Sequence, residues 1–169
     1  QMVLDIENSN LTIIPLYNFI GFEIDYFPSK ITELSMWLVD HQMNIELSNY
    51  IGEYYAKIPI EDSVEVHNVN SNEINWKDCI SERIDYIIGN PPFRGVKERT
   101  EEQSKEMKKI FFNERGAGNL DYVTCWFKKA SEFIKNTDIK CAFVSTNSIS
   151  QGIQPGVLWK ILKKQETKI

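Results

Sequence analysis

Histidine and cysteine are too few and too scattered here to build a metal centre or a disulfide framework. The two histidines, His41 and His67, stand far apart with no second ligand at metal spacing, so no metal is expected. The three cysteines, Cys79, Cys125 and Cys141, are odd in number and widely separated, and read as reduced thiols of a cytoplasmic protein. No run of about 18 apolar residues occurs and no charged-then-apolar signal opens the sequence, so neither membrane insertion nor secretion is expected. Positive charge is also in short supply: 19 Lys and Arg against 24 Asp and Glu leave a net charge of -5. Phosphate binding needs concentrated cations, so this stretch is not expected to clamp nucleic acid by itself. Arg94, Lys97, Arg99, Lys105, Lys108 and Lys109 are the one local concentration, and a solvated helix face is the commoner meaning of such lysines. No internal repeat or low-complexity tract breaks the chain.

What is present is enough apolar material, 42% of 169 residues, to bury a core as one domain or a large piece of one. The chain is organised around Tyr86-Ile87-Ile88-Gly89-Asn90-Pro91-Pro92-Phe93. Three β-preferring residues run into a glycine and two prolines, so a buried strand must end abruptly at Asn90. The two prolines fix φ at successive positions and remove two backbone donors, leaving a rigid platform of acceptors. The Asn90 side-chain oxygen and the Pro91 carbonyl can accept from one exocyclic amino group, while Phe93 offers a flat face to a planar base.

In order along the chain, residues 1–18 read as a connector and 19–169 as an α/β core. Phe19 to Asp25 reads as a buried strand with an acidic carboxyl end. A carboxylate there commonly takes both ribose hydroxyls of a nucleoside, which makes Glu23 the candidate. Pro28 opens a helix to about Leu47, with Ile31, Leu34 and Leu38 on one stripe, widened by Met36, Val39 and Met43. Tyr50 to Pro59 is a loop carrying Tyr54 and Tyr55. Ser63 to Asn70 alternates as a strand ending in Asn70-Ser71-Asn72, which suits a turn or, less commonly, side chains that read an adenine. Ile84 to Ile88 is the platform strand, and Glu101 to Phe112 a helix. Gly116-Ala117-Gly118 follows no strand, so it reads as a flexible linker and not as a phosphate-cradling loop. Asn119 is the expected N-cap of a helix from Leu120 to about Lys135 with Leu120, Val123, Phe127, Ala130 and Ile134 toward the core. A buried strand from Lys140 to Val144, then Ser145-Thr146-Asn147-Ser148, then a helix from Gly156 to about Lys164 complete the order. Strands alternating with helices predict an α/β fold with a mostly parallel sheet and flanking helices.

Asn90-Pro91-Pro92-Phe93 resembles the catalytic motif of S-adenosylmethionine-dependent amino-group methyltransferases. More widely, the sequence looks like the methyltransferase region of the MmeI-like type IIG restriction-modification enzymes. That likeness rests on Gly21-Phe22-Glu23-Ile24-Asp25 with Phe27-Pro28, Trp37 to Asn44, Gly89 to Phe93 with Gly95, Leu120-Asp121-Tyr122-Val123 with Trp126-Phe127, and Ser145 to Ile149 with Gln151-Gly152. It implies a Rossmann-like class I methyltransferase core and transfer of a methyl group from S-adenosylmethionine to adenine N6 of double-stranded DNA, the target adenine being flipped out. Asn90, Pro91, Pro92 and Phe93 would form the catalytic site. Glu23 would hold the cofactor ribose and Ile24 pack on its adenine. Asn70 matches a position where related enzymes often carry Asp against that adenine. Nuclease and target-recognition domains are expected on the same full-length polypeptide. No Gly-x-Gly turn precedes Glu23, so the chain looks like an internal fragment lacking the first strand and the C-terminal strands, expected to be inactive alone. The rivals are methylation of rRNA guanine N2 or of a protein glutamine, which use the same platform, and a non-catalytic binding module of methyltransferase fold.

Overall fold

The computed structural model describes residues 14–52, 63–80 and 83–165. The expectations for most of the connector and for Tyr54 and Tyr55 fall outside them. The chain divides into two compact units, Gln1–Ser71 and Asn72–Ile169.

In the first unit, strand β1 (Ile20–Glu23) and strand β2 (Glu65–Asn68) pair in parallel, Ile20 opposite Glu65 and Glu23 opposite Asn68. Parallel neighbours require a long crossover, and helix α1 (Tyr26–Ile51) provides it. The helix is longer than Pro28 alone suggested, because Asp25 is already extended and Gly52, at φ 81°, is what stops it. α1 packs against both strands, yet the stripe Ile31, Leu34 and Leu38, with Val39 and Met43, is exposed. The less exposed positions are Ser29, Glu33, Met36, Trp37, Asp40, His41, Asn44, Leu47 and Ser48, a face that mixes polar and apolar side chains. Ser29 and Ser48 donate to the carbonyls of Tyr26 and Asn44 at 2.7 and 2.6 Å, Asn44 donates to Asp40 at 3.0 Å, and His41 stacks on Trp37 at 5.8 Å.

In the second unit, the short helix α2 (Trp76–Cys79) precedes strand β3 (Tyr86–Gly89), helix α3 (Glu101–Ile110), helix α4 (Thr124–Phe133), strand β4 (Lys140–Phe143) and helix α5 (Gln154–Lys163). α2 had no sequence expectation; Asn75 caps it, accepting from Lys77 N–H at 3.3 Å. β3 and β4 pair in parallel, Tyr86 opposite Lys140 and Gly89 opposite Phe143. The core lies among α3, α4 and α5: Met107, Phe111, Leu120, Cys125, Leu158, Ile161 and Leu162 form one buried cluster.

The described strands form two two-stranded parallel sheets, β1 with β2 and β3 with β4. Three expectations fail here. The strands are not deeply buried: Tyr86 and Ile88 are 68% and 81% exposed, and every β1 residue is half-buried. Apolar composition identifies a strand without naming its neighbours, and a two-stranded pair leaves edges and faces open. Finally, residues 113–119 are not a loose linker, and Asn119 does not cap α4. Ala117–Asn119 is a 3-10 turn with Ala117 buried, and Leu120 is extended, so α4 starts at Thr124. Gly116 is required there: its φ is +86°, and a Cβ would lie 3.2 Å from a Val157 methyl group on α5. Leu120, Val123 and Ala130 do face the core.

All three cysteines are free thiols. Burial pushes Cys125 up to about 12 and Cys141 up to about 11, from an ordinary 9.0. Thiolate, the reactive form, is therefore scarce at pH 8. Both cysteines should resist iodoacetamide in the native chain at that pH and react once it is unfolded, as peptide mass mapping would read. The sign of the linkage is that of a raised value: the neutral thiols' contribution to stability is full below pH 9 and lost as pH rises toward 11 and 12.

Candidate functional site

The platform is pinned on both sides of its prolines. Before them, the Gly89 carbonyl accepts from Val144 N–H at 3.0 Å, the last bond of the β3–β4 ladder. After them, the Arg94 carbonyl accepts from Tyr122 N–H at 2.8 Å, and the Gly95 carbonyl closes a turn with Glu98 N–H at 3.0 Å. Between these anchors Pro91 is buried, Asn90 and Pro92 are exposed, and Phe93 is 42% exposed. The arrangement presents an amide and a ring face to solvent on a stretch that cannot fold back on itself by backbone donation.

Gly89 brings the backbone close to the Phe143 ring. A Cβ there would lie 3.3 Å from two Phe143 ring atoms. That ring meets Phe127 edge-on at 5.3 Å, and Phe127 meets Trp159 of α5 edge-on at 6.4 Å, so the platform rests on an aromatic stack reaching the helical core.

Tyr122, the anchor after the prolines, is itself fixed by a buried polar network. Its hydroxyl donates to the Glu106 carboxylate and accepts from Asn72 Nδ2 at 3.1 Å, while its ring meets Trp126 edge-on at 5.2 Å. Burial, then the hydrogen bond to Glu106, raises the Tyr122 pKa, which keeps the hydroxyl protonated and donating. Asn72 is thus committed to the network. Arg99 is likewise structural, donating to the Gly118 carbonyl at 3.0 Å and to Met107 Sδ. Arg94, Lys97, Lys105, Lys108 and Lys109 are exposed.

In the first unit, Glu23 ends β1 and is half-buried, its Oε1 accepting from Asp25 N–H at 3.0 Å. Asn68, opposite it on β2, donates through Nδ2 to the carbonyls of Glu23 and Ile24 at 3.0 and 2.8 Å. That bridge fixes the carboxyl end of β1, with Ile24 61% exposed beside it and Asn70 half-buried two residues past the end of β2. The sequence reading missed Asn68, Tyr122 and Glu106 as organising residues. A tyrosine next to an acid in a run that is otherwise apolar was the available signal for Tyr122; Asn68 had none, since only the strand register brings it to Glu23. Among the described residues no group of three His, Cys, Asp or Glu is arranged to hold a metal, and no helix is long and apolar enough to cross a membrane.

A family model described as the MmeI DNA-methyltransferase domain matches residues 1–169. The chain belongs to this family. It is 34% identical over 156 residues to DNA methyltransferase A of Bacillus subtilis (strain 168), covering 89% of this chain and 18% of that protein. The solved structure of the type IIL restriction-modification enzyme MmeI in complex with DNA is 41% identical, with a TM-score of 0.87, over 98% of this chain and 22% of that one. The chain therefore spans about a fifth of the length of each relative. The contact at Gly89 offers a direct test of the platform's support. Gly89→Ala should destabilise the MmeI-type domain by about 1–3 kcal/mol through overpacking against Phe143. Phe143→Leu in the same background should recover most of it; unfolding followed by tryptophan fluorescence gives both values.

Proposed function

We propose that the chain carries the target-base and cofactor-ribose positions of a DNA adenine-N6 methyltransferase within a restriction-modification enzyme, using S-adenosylmethionine. The observation that carries this reading is Asn90-Pro91-Pro92-Phe93 at the carboxyl end of a parallel strand, with Asn90 and Phe93 exposed and the prolines between them pinned on both sides. The fold that goes with it is a Rossmann-like core to which residues 19–169 contribute, since ligands of open parallel sheets sit at carboxyl strand ends.

The residues present suit the cofactor. Glu23 is an acceptor at a strand end, oriented by Asp25 N–H with its second oxygen available to a ribose diol, and Ile24 offers an exposed apolar surface for a purine. Asn70 lies two residues past the end of the adjacent strand, where a polar side chain can meet that purine's edge. S-adenosylmethionine, when bound, supplies an activated methyl group. The target adenine's amino nitrogen is a poor nucleophile because its lone pair is delocalised into the ring. Asn90 Oδ1 and the Pro91 carbonyl accept hydrogen bonds from its two N–H groups, favour a pyramidal nitrogen and stabilise the positive charge that develops on it, a preorganised electrostatic effect. Pro92 keeps those acceptors from rotating, and Phe93 stacks on the flipped base, offsetting part of the few kcal/mol that unstacking costs. No general base is needed before the bond forms.

In the intact enzyme, Asn90→Ala should lower kcat for methyl transfer by about 10²–10³-fold with the cofactor dissociation constant within about twofold of wild type. Glu23→Ala should do the reverse, weakening cofactor affinity by about tenfold or more while leaving saturated turnover closer to wild type. Tritiated methyl transfer, nucleoside analysis of the product and calorimetry measure these quantities. Product other than N6-methyladenine, or wild-type turnover by Asn90→Ala, would refute the reading.

A further inference from the structure

Leu120-Asp121-Tyr122-Val123 and Ser145 to Ile149 are sequence blocks to which the methyl-transfer reading gives no role, and the structure ties them together. Asp121 Oδ2 accepts from Ser148 Oγ at 2.6 Å, and Ser148 Oγ also contacts the Thr146 hydroxyl in the loop that follows β4. Asp121 N–H donates to Gln154 Oε1 of α5 at 3.0 Å, and the Asp121 carbonyl accepts from Thr124 N–H at 3.0 Å and Thr124 Oγ1 at 2.6 Å. Every polar part of Asp121 except Oδ1 is therefore occupied. Oδ1 faces the platform's exit: a Cβ built on Gly95 would lie 3.8 Å from it. The next residue, Tyr122, holds the Arg94 carbonyl.

We propose that Asp121 is a positioning residue for the Asn90–Phe93 platform, clasping the loops that follow β3 and β4 into one rigid edge. The role rests on the methyl-transfer reading. Asp121 touches no reacting atom. It fixes the segment whose Tyr122 N–H anchors the platform's exit, and it couples that segment through Ser148 to the loop after the neighbouring strand. The consequence is for the bound geometry: a shift of about 1 Å in the acceptors can cost on the order of a hundredfold in rate without weakening binding elsewhere. The interaction needs an acceptor for the Ser148 hydroxyl and no formal charge, so asparagine can stand in for aspartate.

The test uses the intact enzyme and a DNA it methylates, with steady-state kinetics and thermal unfolding on each variant. Asp121→Ala should lower kcat by about 30- to 100-fold with KM for the methyl donor within about twofold. Ser148→Ala should lower kcat by about tenfold, and Asp121→Asn should keep at least about a third of it. 2-Aminopurine at the target position should still brighten with Asp121→Ala, showing that the base is extruded and that its seating is what fails. Asn90→Ala runs beside these. If it is inactive while Asp121→Ala turns over like wild type, the clasp is refuted and the platform stands. If Asn90→Ala itself is fully active, the platform reading falls and the role of Asp121 falls with it. Should Asp121→Ala not fold, Ser148→Ala and Asp121→Asn decide: losses in both that track falling thermal midpoints, with the donor KM rising, refute a positioning role.

Discussion

Two consecutive prolines at the end of β3 set the constraint on which the second unit turns. Pro91 and Pro92 remove two backbone donors in succession, so the segment that carries Asn90 and Phe93 cannot be held by its own ladder. It has to be held from outside, and the two nearest carbonyls on either side, Gly89 and Arg94, are where it is held. One anchor belongs to the strand neighbour β4, the other to the segment that leads into α4. Rigidity at the platform is thus borrowed from the packing of elements remote from it in sequence.

The helical core supplies that rigidity. Tyr122 is buried among α3 and α4 residues, and its hydroxyl donates to the buried Glu106 carboxylate. A buried carboxylate is costly unless it accepts hydrogen bonds, and the Tyr122 hydroxyl and Asn72 both donate to its Oε2. Because partly satisfied buried networks are more damaging than apolar packing, the arrangement tolerates only one orientation of Tyr122, and hence of the N–H that it offers to Arg94. On the other side, the aromatic series Phe143, Phe127 and Trp159 carries packing from the ladder into α5. The glycine at position 89 leaves room for that stack beside the backbone, since a Cβ there would lie 3.3 Å from the Phe143 ring.

Much of this was legible in the sequence. Element order, the parallel connections and the abrupt end of β3 follow from short apolar runs punctuated by Gly and Pro, and the separated motif blocks pointed to the family that the whole-chain match shows. What the sequence withheld were facts of neighbourhood. Asn119 has the chemistry of a cap, but Leu120 is extended because it plugs the core, so the helix starts later at Thr124. Gly116-Ala117-Gly118 has the composition of a linker, but Ala117 fits a buried space beside Val157 that only a glycine at position 116 permits. Asn68 and Tyr122 act through partners 45 and 28 residues away in sequence, Glu23 and Arg94, which no local pattern encodes.

The same limit explains α1. A spacing of three and four residues shows which side chains share a helix face, and it does so correctly for Ile31, Leu34 and Leu38. It does not show which way the face points. In the first unit the less exposed face of α1 carries Ser29, Met36, Trp37, His41, Asn44, Leu47 and Ser48; the Ser29 and Ser48 hydroxyls donate to carbonyls of the preceding turn, while His41 Nδ1 is buried without a hydrogen bond. Such back-bonding lets small polar residues lie against a sheet at little desolvation cost, because the donors never lose a partner. The apolar side chains then remain exposed, each at about 25 cal/mol per Å2 of area left in water. Apolar periodicity is therefore evidence for a helix and for a face, while the direction of burial depends on which neighbours pack against that face.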